Sequence, residues 1–303
     1  MPRITVSPLM MRRYPYAGML LPGLLLLLVS GAARALPTPD PVPGGVAIVP
    51  VVPVNSGNIT PKAAHFNKRR VMLLKDKGTW LAVVGIPLKT RPGQQSLKVT
   101  ARNGKQWPVS FSVKPKEYAT QYLTIKNKRQ VNPNKQDLKR IGKERAIING
   151  AFKEWLSIYP ATDFTLPVVG RFSSPFGLRR FFNKQPRKPH SGLDIAAPKG
   201  TPIKAPADAR VVATGNFFFN GNSVFLDHGQ GLITMYSHMD SISVTKDQQI
   251  KQGELIGTIG MTGRVTGPHL HWTVSLNNTR VDPALFISRE LQGQSRTTVP
   301  KKP

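Results

Sequence analysis

Five of the chain's six histidines fall between positions 190 and 271. Two of them stand one residue apart in Gly267-Pro268-His269-Leu270-His271-Trp272. If this run is a strand, residues i and i+2 share a face, so both imidazoles project together while Leu270 and Trp272 face the other way. Two neutral imidazoles on one rigid face suit a divalent metal, or one metal ligand beside one acid–base group. His190-Ser191-Gly192-Leu193-Asp194 adds an imidazole and a carboxylate with three residues between them. Tyr236-Ser237-His238-Met239 adds another imidazole at the end of a strand-like run. An H-x-H pair alone is a weak signal. The three pieces in this order, within one domain-sized window, are a strong one. The sixth histidine, His65, adjoins the basic run Phe66-Asn67-Lys68-Arg69-Arg70 and reads as surface.

The pattern His190-x-x-x-Asp194, then His238, then His269-x-His271 resembles that of the lysostaphin/LytM-type zinc endopeptidases, which cut peptidoglycan peptides. Ser173-Ser174-Pro175-Phe176-Gly177, Gly192-Leu193-Asp194-Ile195, Gly221-Asn222, Gly231-Leu232, Gly253 and Gly257 match as well, so the resemblance runs from about Val168 to Phe286. It implies a Zn2+ ion held by His190, Asp194 and His271, the three protein ligands that a catalytic zinc site requires. It leaves His238 and His269 as the catalytic pair that orients water, takes its proton and stabilises the tetrahedral intermediate. Which of the two is the base stays open. His228 has no ligand role in the family pattern and is placed in the turn Asp227–Gly231. Tyr236, two residues before His238, is expected on the same strand face, lining the groove. Asn222 is expected to hold substrate or the neighbouring loop.

The elements that must carry these residues are mostly short strands punctuated by Gly and Pro, which predicts a mainly β fold with an antiparallel peptidase domain. Upstream, strands are expected over Val46 to Val54, Val71 to Leu74, Trp80 to Ile86, Ser96 to Thr100 and Trp107 to Val113, with Tyr118 to Ile125 as a last one. Lys75-Asp76-Lys77-Gly78 reads as a hairpin turn, and Asn103-Gly104 as a type I′ turn. Several strands at this spacing suggest a small β-sandwich. Asn134, with Asp137 three residues on, can cap a helix, and Leu138, Ile141, Ile148, Phe152 and Trp155 recur at helical spacing. Gly142 and Gly150 predict that this helix is broken or doubled. Arg179 to Pro189 reads as a basic loop that walls or covers a groove next to His190.

The expected organisation is a signal peptide over 1–35, an N-terminal β-sandwich-like domain over 36–125, a short helical linker over 126–160, a LytM-type zinc peptidase domain over 161–287 and a basic tail over 288–303. The signal rests on Arg3, Arg12 and Arg13, an apolar run from Ala17 to Val29, and the small-x-small site Ala33-Arg34-Ala35. That run is short for a span of about 20 residues, so cleavage after Ala35 is expected rather than a membrane anchor. No cysteine is present, which excludes disulfides, a lipoprotein anchor, a cysteine protease and cysteine-ligated zinc.

The net charge is +28, and it is uneven: positions 36–150 hold 21 Lys and Arg against 5 Asp and Glu, and positions 151–303 hold 18 against 10. Such a surface implies an anionic partner. With an export signal the partner is expected to be peptidoglycan or an anionic envelope polymer rather than nucleic acid, with no stable transmembrane segment after signal cleavage. The expected protein is therefore an exported zinc metallo-endopeptidase of the periplasm or cell envelope, hydrolysing cross-links or stem peptides of peptidoglycan. Two alternatives are a non-catalytic LytM-type regulator of other wall hydrolases, and an envelope polyanion-binding protein.

Overall fold

The computed structural model describes residues 36–52 and 59–297, all within one compact unit, Arg34–Pro303. The signal-like segment 1–35, residues 53 and 54 of the first expected strand, and residues 298–303 of the basic tail lie outside the described residues.

Apolar runs joined by tight turns build the first β region. Its strands are β1 (Val46–Pro50), β2 (Pro61–Phe66), β3 (Arg69–Asp76), β4 (Thr79–Gly85), β5 (Gly93–Ala101) and β6 (Gln106–Val113). They form one antiparallel sheet in the order β1-β4-β3-β2-β5-β6. Asn67-Lys68 and Lys77-Gly78 take positive φ at both positions, as a type I′ hairpin demands. The Asn103-Gly104 pair does not: only Gly104 has positive φ. Asn103 instead accepts a hydrogen bond on Oδ1 from the Lys105 amide, an Asx turn within a longer loop.

The sheet closes over a shared core that includes Ala47, Val49, Ala64, Phe66, Val71, Leu73, Leu97 and Val113. The alternate residues Val46, Met72, Leu74 and Val83 are also buried, in the core of the second β region. This explains why Val71-Met72-Leu73-Leu74 is apolar without alternation. One face of β3 closes the first core and the other packs on the second, as in any strand covered on both sides.

The second region comprises β7 (Thr120–Leu123), helix α1 (Lys135–Ala151), and strands β8 (Arg171–Ser174), β9 (Arg179–Phe182), β10 (Gln185–Pro186), β11 (Leu193–Ala196), β12 (Pro202–Lys204), β13 (Ala209–Phe217), β14 (Gly221–Gly229), β15 (Leu232–Ile242), β16 (Gln249–Ile250), β17 (Leu255–Ile259), β18 (Leu270–Leu276) and β19 (Thr279–Val281). A ten-stranded antiparallel sheet follows the path β16-β13-β14-β15-β18-β11-β8, with β12, β17 and β19 attached at its margins.

Four expectations change. β7 does not extend the first sheet; it pairs in parallel with β9. The expected basic loop is a hairpin, β9–β10, closed by Asn183-Lys184 with both φ positive. α1 is one unbroken helix of 17 residues. A capping box joins Asn134 and Asp137, and Arg129 places a two-pronged ion pair on Asp137. Phe152 is buried against Phe225 at the far end. The space around Gly142 and Gly150 is open, so their cost of about 1 kcal/mol each is outweighed by caps and docking. Finally, the tail is helical over α2 (Arg289–Thr297).

Two side-chain carboxamides join the regions. Beyond Val71, strand β2 no longer pairs with β3. There Gln230 accepts from Leu73 N–H at 3.0 Å and donates to Leu73 O at 3.1 Å. Asn277 does the same to Gly85, at 2.7 and 3.1 Å. Each carboxamide imitates the missing neighbour strand, and both sit at the first position of a type I′ turn. A Cβ on Gly85 would lie 2.9 Å from that of Leu276, so only glycine allows this approach. Asn277→Ala leaves a buried N–H and C=O unpaired and should lower unfolding free energy by about 2–4 kcal/mol. Urea denaturation of the full chain measures this; a loss below about 0.5 kcal/mol contradicts the bracing role.

Candidate metal centre

Register builds the centre. β11 runs antiparallel to β18 with Asp194 directly opposite His271. Directly opposed residues in such a pair share a face, so one carboxylate and one imidazole are delivered to the same point. His190 precedes β11 and is 1% exposed. A Cβ at Gly192 would lie 2.4 Å from Trp272 O and 2.9 Å from His271 Cε1, so glycine at this position lets β11 approach β18.

His190 Nε2, Asp194 Oδ1 and His271 Nδ1 form a triangle with sides of 2.9, 3.0 and 2.7 Å. The outer atom of each group is engaged elsewhere. His190 Nδ1 lies 2.7 Å from Pro175 O, an acceptor, so that nitrogen carries the proton. His271 Nε2 faces the Thr273 hydroxyl at 3.1 Å. Asp194 Oδ2 accepts from the Arg180 guanidinium at 2.8 Å. The carbonyl fixes this for His190; with His271 Nε2–H donating to the Thr273 hydroxyl, His271 Nδ1 likewise turns its lone pair inward, and three inward acceptors at such separations call for a cation between them. Two imidazoles and a carboxylate are also a donor set that suits zinc. The residues therefore fit a divalent metal, and no other group of this kind is found among the described residues. Burial pushes the Asp194 carboxyl up, but hydrogen bonds and charge from His190 and His271 hold it well below the usual carboxylate range. Burial, against the pull of Asp194, pushes His271 down to about 4.

Two more imidazoles face the triangle. The His269 ring lies 5.0 Å from that of His238, and its Nε2 is 3.9 Å from Asp194 Oδ1. His269 Nδ1 donates to Gly267 O and His238 Nδ1 to Thr262 O, both at 2.8 Å, leaving each Nε2 as the acceptor. Burial, then the neighbouring His269 and His271, hold His238 well below the usual imidazole range, so it is neutral. Its backbone is left-handed at φ 65° inside β15. Ser237 opposes His271 across the pair and Tyr236 opposes Trp272, so plain alternation would turn His238 towards the core. The left-handed kink returns it to the His271 side, a strained conformation of the kind found at functional sites.

The structure thus brings all five expected residues together, His190, Asp194, His238, His269 and His271. It does not bring Tyr236, which is fully buried in the core with its hydroxyl 3.0 Å from Thr234 Oγ1. Asn222 ties the neighbouring loops, through Asp240 O, Asn216 and the Thr262 hydroxyl. His228 lies within β14, not in a turn; Asp208 O and Thr234 Oγ1 flank its nitrogens at 3.0 and 2.8 Å.

A cavity of about 260 Å³ opens beside the centre, lined on one side by Arg180, Phe182 and Lys188 of the β9–β10 hairpin region and on the other by Phe219, Asn220 and Arg264. Arg180, Phe182 and Lys188 lie in the stretch 179–189 that was expected to wall or cover a groove; Phe219, Asn220 and Arg264 were not foreseen. The hairpin's basic composition beside His190 was the one available signal.

Comparison with known proteins agrees with this fold and centre. Residues 188–283 match the model of peptidase family M23, and residues 39–116 match that of the peptidase family M23 N-terminal domain. A crystal structure of a Pseudomonas aeruginosa protein assigned to peptidase M23 is 44% identical, with a TM-score of 0.67 over 81% of this chain and 94% of that one. Among curated relatives, the DD-carboxypeptidase/endopeptidase Mpg of Neisseria meningitidis serogroup B is 40% identical over 116 residues, 38% of this chain and 27% of Mpg. The peptidoglycan DD-endopeptidase ShyC of Vibrio cholerae is 40% identical over 132 residues, 42% of this chain and 30% of ShyC. Fold and centre are those of a β-sheet site of the H-x-x-x-D, H-x-H type whose residues fit a divalent metal. The chain belongs to peptidase family M23. It spans less than a third of the length of these two curated relatives.

Arg180 fixes Asp194 Oδ2 and so aims Oδ1 at the triangle. Arg180→Leu should weaken zinc affinity about 10-fold or more, read by competition with a chromophoric chelator, and Arg180→Gln, which keeps one donor, should lose less. His228 is a separate test of burial. Burial pushes it from 6.5 down to about 4. Between those pH values the unfolded chain binds the proton and the folded chain does not, so this stabilisation is complete above pH 6.5 and disappears as pH falls towards 4. The acid loss reaches about 3 kcal/mol. Denaturation curves across this range should be flatter by about one proton in His228→Gln.

Proposed function

We propose that this chain is an exported zinc endopeptidase that hydrolyses peptide bonds of peptidoglycan. The observation that carries the reading is the triangle of His190, Asp194 and His271 with two further imidazoles turned towards it. The names of the Neisseria and Vibrio relatives support peptidoglycan as the polymer and DD bonds as the target. His190, Asp194 and His271 are the proposed ligands. A metal held there supplies Lewis acidity towards the scissile carbonyl and an acidified water. The substrate amide occupies the cavity beside the ligands, between the β9–β10 hairpin and Phe219. His238 and His269 each present an unprotonated Nε2; one takes the proton of the attacking water and returns it to the departing amine. The ring that has taken the proton then carries an Nε2–H, which donates to the oxyanion as the carbonyl becomes tetrahedral, before that proton passes to the amine.

In this reading residues 1–35 are the export signal, 36–125 position the enzyme on the wall, 126–160 link the two parts, 161–287 carry the chemistry and 288–303 form the tail. The basic excess over 36–303, 39 Lys and Arg against 15 Asp and Glu, favours anionic wall polymers as the surface to which it is held. A purely regulatory role is disfavoured because all five site positions are filled.

Purified residues 36–303 should contain one zinc and release defined peptides from sacculi, with release abolished by chelation. Asp194→Ala should lose the metal and activity together. His269→Ala should keep the metal while kcat falls by about 10²–10⁴. Metal analysis separates the two outcomes: loss of zinc in His269→Ala would move that residue into the ligand set.

A further inference from the structure

Three guanidinium groups converge beside the centre. Arg180 is bound to Asp194, Gln121 and Ser174. Arg187 is committed to oxygens of Val131, Asn132, Gln185 and Pro186. Arg264 is different. Its guanidinium lies 4.6 Å from the Phe182 ring and 4.3 Å from the Phe219 ring, and Nη1 donates to Gln130 O at 3.2 Å. Gln130 in turn donates to Gly263 O, fixing the loop that carries Arg264. Among the described residues Arg264 forms no ion pair, yet it lines the cavity shared with His190, His238 and His271. It also lines an adjoining cavity of about 590 Å³, where Arg145, Arg187, Lys188 and Arg280 are the other cations and Glu144 the one acid. Glu144 is already bound to Arg140 and the Phe218 amide.

We propose that Arg264 is the anchor of an anion subsite beside the metal ligands, and that it receives a free carboxylate of the substrate on the carbon next to the amine released by cleavage. The inference rests on the peptidoglycan reading above and narrows it. A guanidinium packed against two rings is held in place with its fork geometry and loses little entropy on binding a carboxylate. Burial, then Arg180 and Arg187, push it down to about 10, so it remains charged at neutral pH in surroundings that disfavour its charge. An arriving anion relieves that cost. The chemistry of the bond fits. In a DD linkage, whether a terminal D-Ala-D-Ala or a D-Ala–diaminopimelate cross-link, the residue that leaves as amine carries such a carboxylate. A glycine bridge carries none within its length. The subsite therefore selects DD bonds over bridge bonds.

The test uses the full mature chain loaded with zinc and a ligand it does not turn over. This is the stem tetrapeptide with the diaminopimelate side-chain amine free, compared with its analogue in which the carboxylate beside that amine is a carboxamide. Calorimetry on wild type should give about tenfold or greater preference for the acid. In Arg264→Gln the ratio should fall to about one, with zinc content unchanged, and in Arg264→Lys a reduced preference should persist. Equal binding of acid and carboxamide by wild type, or an unchanged ratio in Arg264→Gln, overturns the subsite. If Arg264→Gln does not fold, Arg264→Lys decides: a full wild-type ratio there also overturns it, because the planar fork is absent. Release of peptides from sacculi is measured in parallel. Release with no acid preference rejects the subsite alone, and no release rejects the peptidoglycan reading itself.

Discussion

Three acceptor atoms held within about 3 Å of one another, on side chains that are largely buried, are the most demanding feature of this molecule. Left alone they repel, and a cation between them reverses the sign of the interaction. Everything nearby keeps those lone pairs turned inward. Pro175 O and the Thr273 hydroxyl occupy the outer ring nitrogens, and Arg180 occupies the outer carboxylate oxygen. The β11–β18 register sets Asp194 against His271. A one-residue slip would send one of them into the core.

The first β region contributes to that rigidity although it supplies no ligand. Its β1, β3 and β4 place Val46, Met72, Leu74 and Val83 in the core that also holds Leu193, Leu270 and Trp272, the neighbours of Asp194 and His271. Gln230 and Asn277 then complete the hydrogen bonds of β3 and β4 where the sheet leaves them open. The two regions are separate stretches of sequence but share their apolar interior.

The site was legible because its residues come in short-range pieces: His190 and Asp194 four positions apart, His269 and His271 two apart. What stayed hidden depends on distance or on a local break of the strand period. Tyr236 was expected to share a face with His238, and strict alternation predicts that. The left-handed backbone at His238 undoes it. The β9–β10 hairpin read as a loop because its turn is Asn183-Lys184, with no glycine to announce it. The unbroken helix α1 was obscured by two glycines whose surroundings are open. The run Val71-Met72-Leu73-Leu74 identified a strand, but its double burial requires a second region to pack on it. Arg180 and Arg264 lie 14 and 70 residues from Asp194, and no spacing rule joins them to it.

One feature of the connection between the two regions has a mechanical side. The chain leaving the first sheet runs at once into β7, which pairs in parallel with β9 through Gln121 and Arg180. Gln121 also holds the Arg180 side chain. A pull on the first region along the chain is therefore carried by a short ladder of hydrogen bonds to the residue that grips Asp194. This is a force path: tension in the first region reaches Asp194 through two neighbouring strands.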